Sequence, residues 1–392
     1  MSGPTAGGRR PRRPGRLARA FVAVAIALVV VIAGFAIAEY YRTAPGAGGA
    51  TLVVYTYSSF FGGNCGVGSA NLTDLLDDFD AAHHVTVELY CPAGSLVAAL
   101  QDPAAYGLPA ADLVVGLDEI TAPQAAALGL LLPYTPPAAA FVPSWLVGEL
   151  GPTDDAFPYE YGYLAVDYTS AFGNATGGAV DRATLPELVD NASWAAQLLT
   201  ENPLYDITGE EFLAWEVEYY TEVLHESWTT FWQTFFAGPH PTPALSWGDA
   251  FGEFGTPAGQ NSLVVSYATD PAYAAATGDA GAFNATLSWW NGTAYGWRTI
   301  YGAAVVAGTR EAGLAEALEN YLLDPRVQNL VPTNEWEYPA NATVVVPPVF
   351  RYAVDPTGVV ALNNATTPSA VAQNLTGPGG WLSTWQGLAG GG

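Results

Sequence analysis

The sequence predicts an α/β domain preceded by one transmembrane helix, and three observations carry that prediction. Short apolar runs alternate with helical patterns from residue 51 onward. An uncharged run of 19 residues, Ala20 to Ala38, precedes them, and a glycine-rich linker, Thr43 to Ala50, separates the two. "TLVVYTY" (Thr51–Tyr57) reads as a strand. "NLTDLLDDFDAA" places Leu72, Leu75, Leu76 and Phe79 at helical spacing, i, i+3, i+4, i+7. "VTVELY" (Val85–Tyr90) and "ADLVVGL" (Ala111–Leu117) read as further strands, with a helix at Ser95–Gln101 between them. Strand, helix, strand, helix, strand is the pattern of a parallel sheet. The middle section holds an aromatic-rich helical stretch, Glu210 to Phe236. "YGAAVVAG" (Tyr301–Gly308) is a later strand and "LAEALENYLL" (Leu314–Leu323) a later helix.

The apolar run Ala20–Ala38 is about 28 Å long as a helix, close to the hydrocarbon thickness of a bilayer. Six arginines, Arg9 to Arg19, precede it, and the first acid is Glu39. The positive-inside rule then leaves the N-terminus in the cytoplasm and the bulk of the chain outside. Ala36-Ile37-Ala38 also has the form of a signal-peptidase site, but the length of the run favours an uncleaved anchor.

Charge narrows the function. The chain carries 12 basic residues, all arginine, against 37 acids. Such a domain repels nucleic acid and anionic lipid and favours cationic partners. Two features agree with an external location. Eight Asn-x-Ser/Thr sequons occur, at Asn71, Asn174, Asn191, Asn284, Asn291, Asn341, Asn364 and Asn374, which suggests a glycoprotein. The two cysteines, Cys65 and Cys91, read as one disulfide.

Enzymatic signatures are missing: no phosphate-binding glycine loop, zinc spacing or nucleophile elbow is present. The four histidines are scattered and read as structural or surface residues. Acid pairs such as Glu210-Glu211 and Asp154-Asp155 read as solvated faces of an acidic protein rather than glycosidase carboxylates. No catalytic residue, cofactor or metal is expected.

The stretch "LVVSYATDPAY" (Leu263–Tyr273) points to a ligand instead. A buried strand delivers Tyr267 and Tyr273 around a short loop carrying Asp270, and loops on a rigid scaffold are where ligands are held. Other segments share its character: "LVVYTYSSF" (Leu52–Phe60), "ADLVVGLD" (Ala111–Asp118), "FPYEYGYLAVDY" (Phe157–Tyr168), "SWGDAF" (Ser246–Phe251), "VPTNEWEYP" (Val331–Pro339) and "WLSTWQ" (Trp381–Gln386). In this order, over residues 51 to 386, the chain resembles the thiamine-binding proteins of ABC importers.

The resemblance implies the type II periplasmic-binding fold, in which two α/β lobes are joined by two crossing strands with the ligand between them. The crossings fall near Tyr161–Val166 and Arg298–Val306. The chain then divides into a basic cytoplasmic segment (1–19), an anchor or signal (20–38), a linker (39–50), a first lobe (51–160 and 298–386), a second lobe (161–297) and a loose tail (387–392). The implied partners are thiamine or a close analogue, the permease and ATPase subunits of the importer, and the membrane through the N-terminal helix. The ring contacts fall on Tyr57, Trp247, Tyr267, Tyr273 and Trp336, with Asp270 a polar contact and Ala93-Gly94 at the pyrimidine edge. Ser58 replaces the aspartate usual in the first strand. The family's Thr-Ser-Thr-Pro-Gly segment is replaced by "YDITG" (Tyr205–Gly209), putting Asp206 and Ile207 in the site. A receptor of the same fold for ferric iron or another small solute, and a structural surface glycoprotein, are the alternatives. The adjacent pair Tyr219-Tyr220 lies in a helical stretch, which counts against iron.

Overall fold

The structure is a computed structural model that describes residues 49–62, 70–151, 155–256, 260–364 and 368–390. The run Ala20–Ala38 and Cys65 lie outside them, so the anchor and the Cys65–Cys91 pairing are not described. Among the described residues no helix is long and apolar enough to cross a membrane.

The chain opens with β1 (Ala50–Tyr55), β2 (Val85–Tyr90), β3 (Leu113–Leu117), the short β4 (Leu131–Leu132) and β5 (Phe157–Tyr161). It then forms β6 (Leu164–Thr169), β7 (Leu198–Leu199), β8 (Leu263–Tyr267) and β9 (Phe283–Thr286), followed by the hairpin strands β10 (Ser288–Trp290) and β11 (Thr293–Gly296). The last strands are β12 (Ile300–Val306), β13 (Tyr338–Pro339) and β14 (Val360–Ala361).

Two main sheets result. The first runs β13-β5-β12-β3-β1-β2, with β4 on β12; the second runs β7-β8-β6-β9. In the first sheet the expected parallel pattern covers β1, β2 and β3 and stops there, because β12 returns antiparallel to β3, β4 and β5. A returning strand enters from the opposite end, and its apolar run reads the same in either direction. The helix expected after the first strand spans Ala70–His83 and buries Leu72, Leu75 and Phe79. Its inner face joins a core with Leu52, Val54, Leu113, Val115 and Ala304.

The expected helix Glu210–Phe236 is two helices. Ile207–Glu218 passes into a π-helical turn, Tyr219–Leu224, which ends at His225 in the left-handed region (φ 57°). A second helix, Thr229–Ala237, follows. Phe212, Trp215, Phe231, Trp232 and Phe235 from these helices fill the core of the second sheet with Leu263 and Val265. Val371, Leu375 and Trp385 pack in this same core, although the resemblance assigns 298–386 to the first lobe. The glycine-rich tail is helical through Ala389.

The chain passes between the sheets at two adjacent points. Gly162 N donates to Thr299 O at 2.8 Å and Thr299 N donates to Gly162 O at 3.1 Å. Leu164 N donates to Trp297 O at 2.9 Å. The end of β5 and the start of β12 are thus tied together where the two sheets meet.

Candidate functional site

Tyr57 follows β1, and its ring lies against β3. A Cβ on Gly116 would overlap that ring, and Gly116 holds φ +102°, so glycine makes room for the tyrosine. The Tyr57 hydroxyl contacts that of Tyr159 and donates to Glu160 Oε1 at 3.2 Å. Tyr159 donates to the same oxygen at 2.9 Å. The Tyr57 ring lies 5.8 Å from that of Tyr301, which stands at the start of β12.

Tyr301 links the first sheet to the second. Its hydroxyl is 2.9 Å from that of Tyr267 at the end of β8, and Tyr267 also meets Thr208 Oγ1 at 3.2 Å. Trp247 follows, with its ring 6.1 Å from Tyr267 and stacked at 5.0 Å on Phe251. Tyr57, Tyr301, Tyr267 and Trp247 therefore form a continuous row of rings across the junction of the sheets.

The residues behind Trp247 hold it still. Its Nε1–H donates to Ser266 Oγ at 2.9 Å, and that hydroxyl donates to Asp270. Tyr267 N donates to the same carboxylate oxygen at 3.2 Å. Asp270 opens the helix Asp270–Ala276 and is buried. Burial raises its pKa to about 6, against the opposing effect of these hydrogen bonds.

Asp206 is an internal anchor. Its Oδ1 accepts from Thr208 N at 3.0 Å and Gly209 N at 3.3 Å, capping the helix Ile207–Glu218. Its Oδ2 accepts from Trp247 N at 2.9 Å. Ile207 beside it packs against the core of the first sheet.

Tyr273 and Trp336 form a second aromatic pair, edge to face at 5.3 Å. Trp336 holds φ +60°, a conformation that bulky residues rarely adopt. Ser58, Ala93 and Gly94 are exposed, and nothing lies within 4 Å of a Cβ placed on Gly94.

Carboxylates crowd the same region. Glu211 is fully buried, which corrects its reading as part of a solvated face. Its helix turns this residue inward, a direction that adjacency in sequence does not reveal. Glu211, Glu160 Oε2, Glu337 Oε2 and Asp118 Oδ2 have no hydrogen-bond partner among the described residues. Burial, reinforced by Glu119 and Asp118, pushes the Glu211 pKa well above the usual range. Glu211 in turn adds to the raised pKa values of Tyr267 and Tyr301, whose main cause is burial. Glu160 is raised by burial and then by Glu335 and Glu337. Glu337 fills the space where a side chain on Gly162 would sit, so it lies at the crossing itself. The ion pairs among the described residues, Arg298–Glu149 at 3.4 Å and Arg326–Asp324 at 3.1 Å, involve none of these acids.

Sequence reasoning missed Tyr159, Glu160, Thr208, Ser266, Tyr301 and Glu337 as members of this cluster. A signal existed for some of them, since Tyr159, Glu160 and Tyr301 lie in or beside the expected crossing strands. A surface cavity of roughly 350 Å³, lined by Asp181, Trp289 and Asp355 among others, borders β9 to β11 and contains none of the expected site residues.

No family model matches the chain. It is 28% identical over 279 residues to the thiamine-binding periplasmic protein of Escherichia coli strain K12, covering 70% of this chain and 76% of that one. A solved periplasmic thiamin binding protein superposes with a TM-score of 0.68 at 25% identity, covering 88% of this chain and 97% of its own. The ferric binding protein from Campylobacter jejuni shares the fold, with a TM-score of 0.64 at 14% identity, covering 86% of this chain and 98% of its own. The chain therefore has the mixed α/β fold of periplasmic binding proteins, and most of its length is similar to thiamine-binding ones.

Proposed function

We propose that this chain is the extracytoplasmic solute-binding component of an ABC importer and that it captures thiamine, a permanent cation with two flat rings. The observation that carries the reading is the row Tyr57, Tyr301, Tyr267 and Trp247 beside buried acids, such as Glu211, whose oxygens have no hydrogen-bond partner among the described residues. A thiazolium on such rings gains about 0.5 to 2 kcal/mol of cation–π energy, depending on desolvation. The aminopyrimidine stacks on a second aromatic group, for which Tyr273 and Trp336 are suited. A bound cation favours the ionised form of Glu211 and its neighbours, whose carboxyls burial otherwise holds protonated. The exposed Ala93-Gly94 loop meets the pyrimidine edge, and the exposed Ser58 follows Tyr57 in the site. The chain binds and delivers rather than catalyses, in keeping with relatives that are binding proteins.

The same proposal includes delivery to a permease and ATPase, a two-lobed type II arrangement, anchoring by Ala20–Ala38, a Cys65–Cys91 bridge and glycans on the sequons. Fe(III) is the second reading, favoured by the phenol contacts Tyr57–Tyr159 and Tyr267–Tyr301.

A thermal-shift scan of the purified protein with thiamine and with Fe(III) tests both. Thiamine is expected to raise the melting temperature and quench tryptophan fluorescence. A shift with Fe(III) alone, accompanied by a visible phenolate-to-iron band, would replace thiamine with iron.

A further inference from the structure

Asp206 stands where two helix starts converge. Thr208 N and Gly209 N belong to the first turn of the twelve-residue helix Ile207–Glu218, and Trp247 N opens the next helix in the site. All three donate to this one carboxylate, at 3.0, 3.3 and 2.9 Å. Backbone N–H groups at a helix start are the donors that an external phosphate or sulfate recruits. Here a covalently attached anion holds them.

The seat borders the aromatic row. Thr208 Oγ1 touches the Tyr267 hydroxyl, and Trp247 carries both a donor to Asp206 and a ring of the row. It has no slack, because a Cβ on Gly209 would lie 2.9 Å from Glu201 O and from Pro203 N. Its electrostatics are one-sided. Glu201 is fully buried with both carboxylate oxygens unpartnered among the described residues, and Glu211 is buried on the following turn in the same condition.

We propose that Asp206 is a built-in anion that determines specificity: it occupies the N–H cluster at the end of the aromatic row and excludes ligands carrying a phosphate tail. The inference rests on the reading of the row as a cation site and names the ligand class more narrowly, as the unphosphorylated cation. An anionic tail reaching past Trp247 meets donors already taken by the Asp206 carboxylate, with only the buried acids Glu201 and Glu211 behind it and no cation among the described residues to offset the charge. A hydroxyl tail meets acceptors.

Calorimetric titration of the full chain with thiamine and with thiamine diphosphate reads the discrimination directly. The wild type is expected to bind the diphosphate at least tenfold more weakly. Asp206→Ser keeps a helix cap, frees the Trp247 N–H and removes the charge, and is expected to narrow the ratio at least tenfold. Equal or tighter binding of the diphosphate by the wild type overturns the proposal, as does an unchanged ratio in a folded Asp206→Ser. If that variant does not fold, Asp206→Asn, similar in shape and uncharged, supplies the same comparison. Inorganic phosphate, followed by phosphorus NMR line broadening, separates this inference from the ligand reading. If the wild type binds neither thiamine compound, the ligand reading falls alone. Broadening by the folded variant and not by the wild type then supports the role of Asp206, and its absence in both refutes it.

Discussion

The indole N–H of Trp247 donates to Ser266 Oγ at 2.9 Å, and Ser266 passes the connection on to Asp270. A ring fixed in this way presents one face without losing rotamer entropy when a ligand arrives. Trp247→Ala and Trp336→Ala are each expected to weaken thiamine binding by about 1–3 kcal/mol, the size of a lost stacked or cation–π contact. Fluorescence or calorimetric titration measures both. Unchanged affinity in the two variants would remove the aromatic rings from the binding reading.

Gly116 supports Tyr57 from behind. Its φ of +102° and the overlap of any Cβ with the Tyr57 ring leave no room for a side chain. Gly116→Ala combines backbone strain with overpacking, which together destabilise by about 2–4 kcal/mol. Because the ring must move, affinity for thiamine is expected to fall with stability. Urea denaturation together with ligand titration checks this, and a variant with native stability and affinity would show that Tyr57 is not held by β3.

Buried carboxyls set the pH response. Asp270 has its pKa raised from 3.8 to about 6, and Glu335 is raised to about 8, burial being the first cause in each. A carboxyl with a folded pKa above its unfolded value binds more protons when folded. Its contribution is therefore fully present below the unfolded pKa and is lost as pH rises through the folded one. For Asp270 that window is about pH 4 to 6, and ionisation costs about 3 kcal/mol at 1.36 kcal/mol per pH unit. The ligand-free protein is expected to melt at a lower temperature at pH 8.5 than at pH 5, and Asp270→Asn to flatten the slope between pH 4 and 6. A melting temperature that climbs from pH 5 to pH 8.5 would contradict this account.

The sequence by itself determined the local elements. Periodicity located the helix at Ala70–His83 and the strands β1, β2, β3 and β12, because burial on one face leaves its repeat in the residue order. The ordered motifs marked Tyr57, Trp247, Tyr267, Tyr273 and Trp336, and the excess of acids pointed to a cation. Only the tertiary structure decided what each polar group does. Asp206 and Asp270 read as ligand contacts, yet their oxygens are engaged by backbone N–H groups and by Ser266. Glu211 read as solvated, yet it is buried. Tyr301 meets Tyr267 across 34 residues, and Tyr159 meets Tyr57 across 102. Such pairings depend on how two sheets are joined at Gly162 and Thr299, and a hydrogen bond between distant residues leaves no periodic trace in the chain.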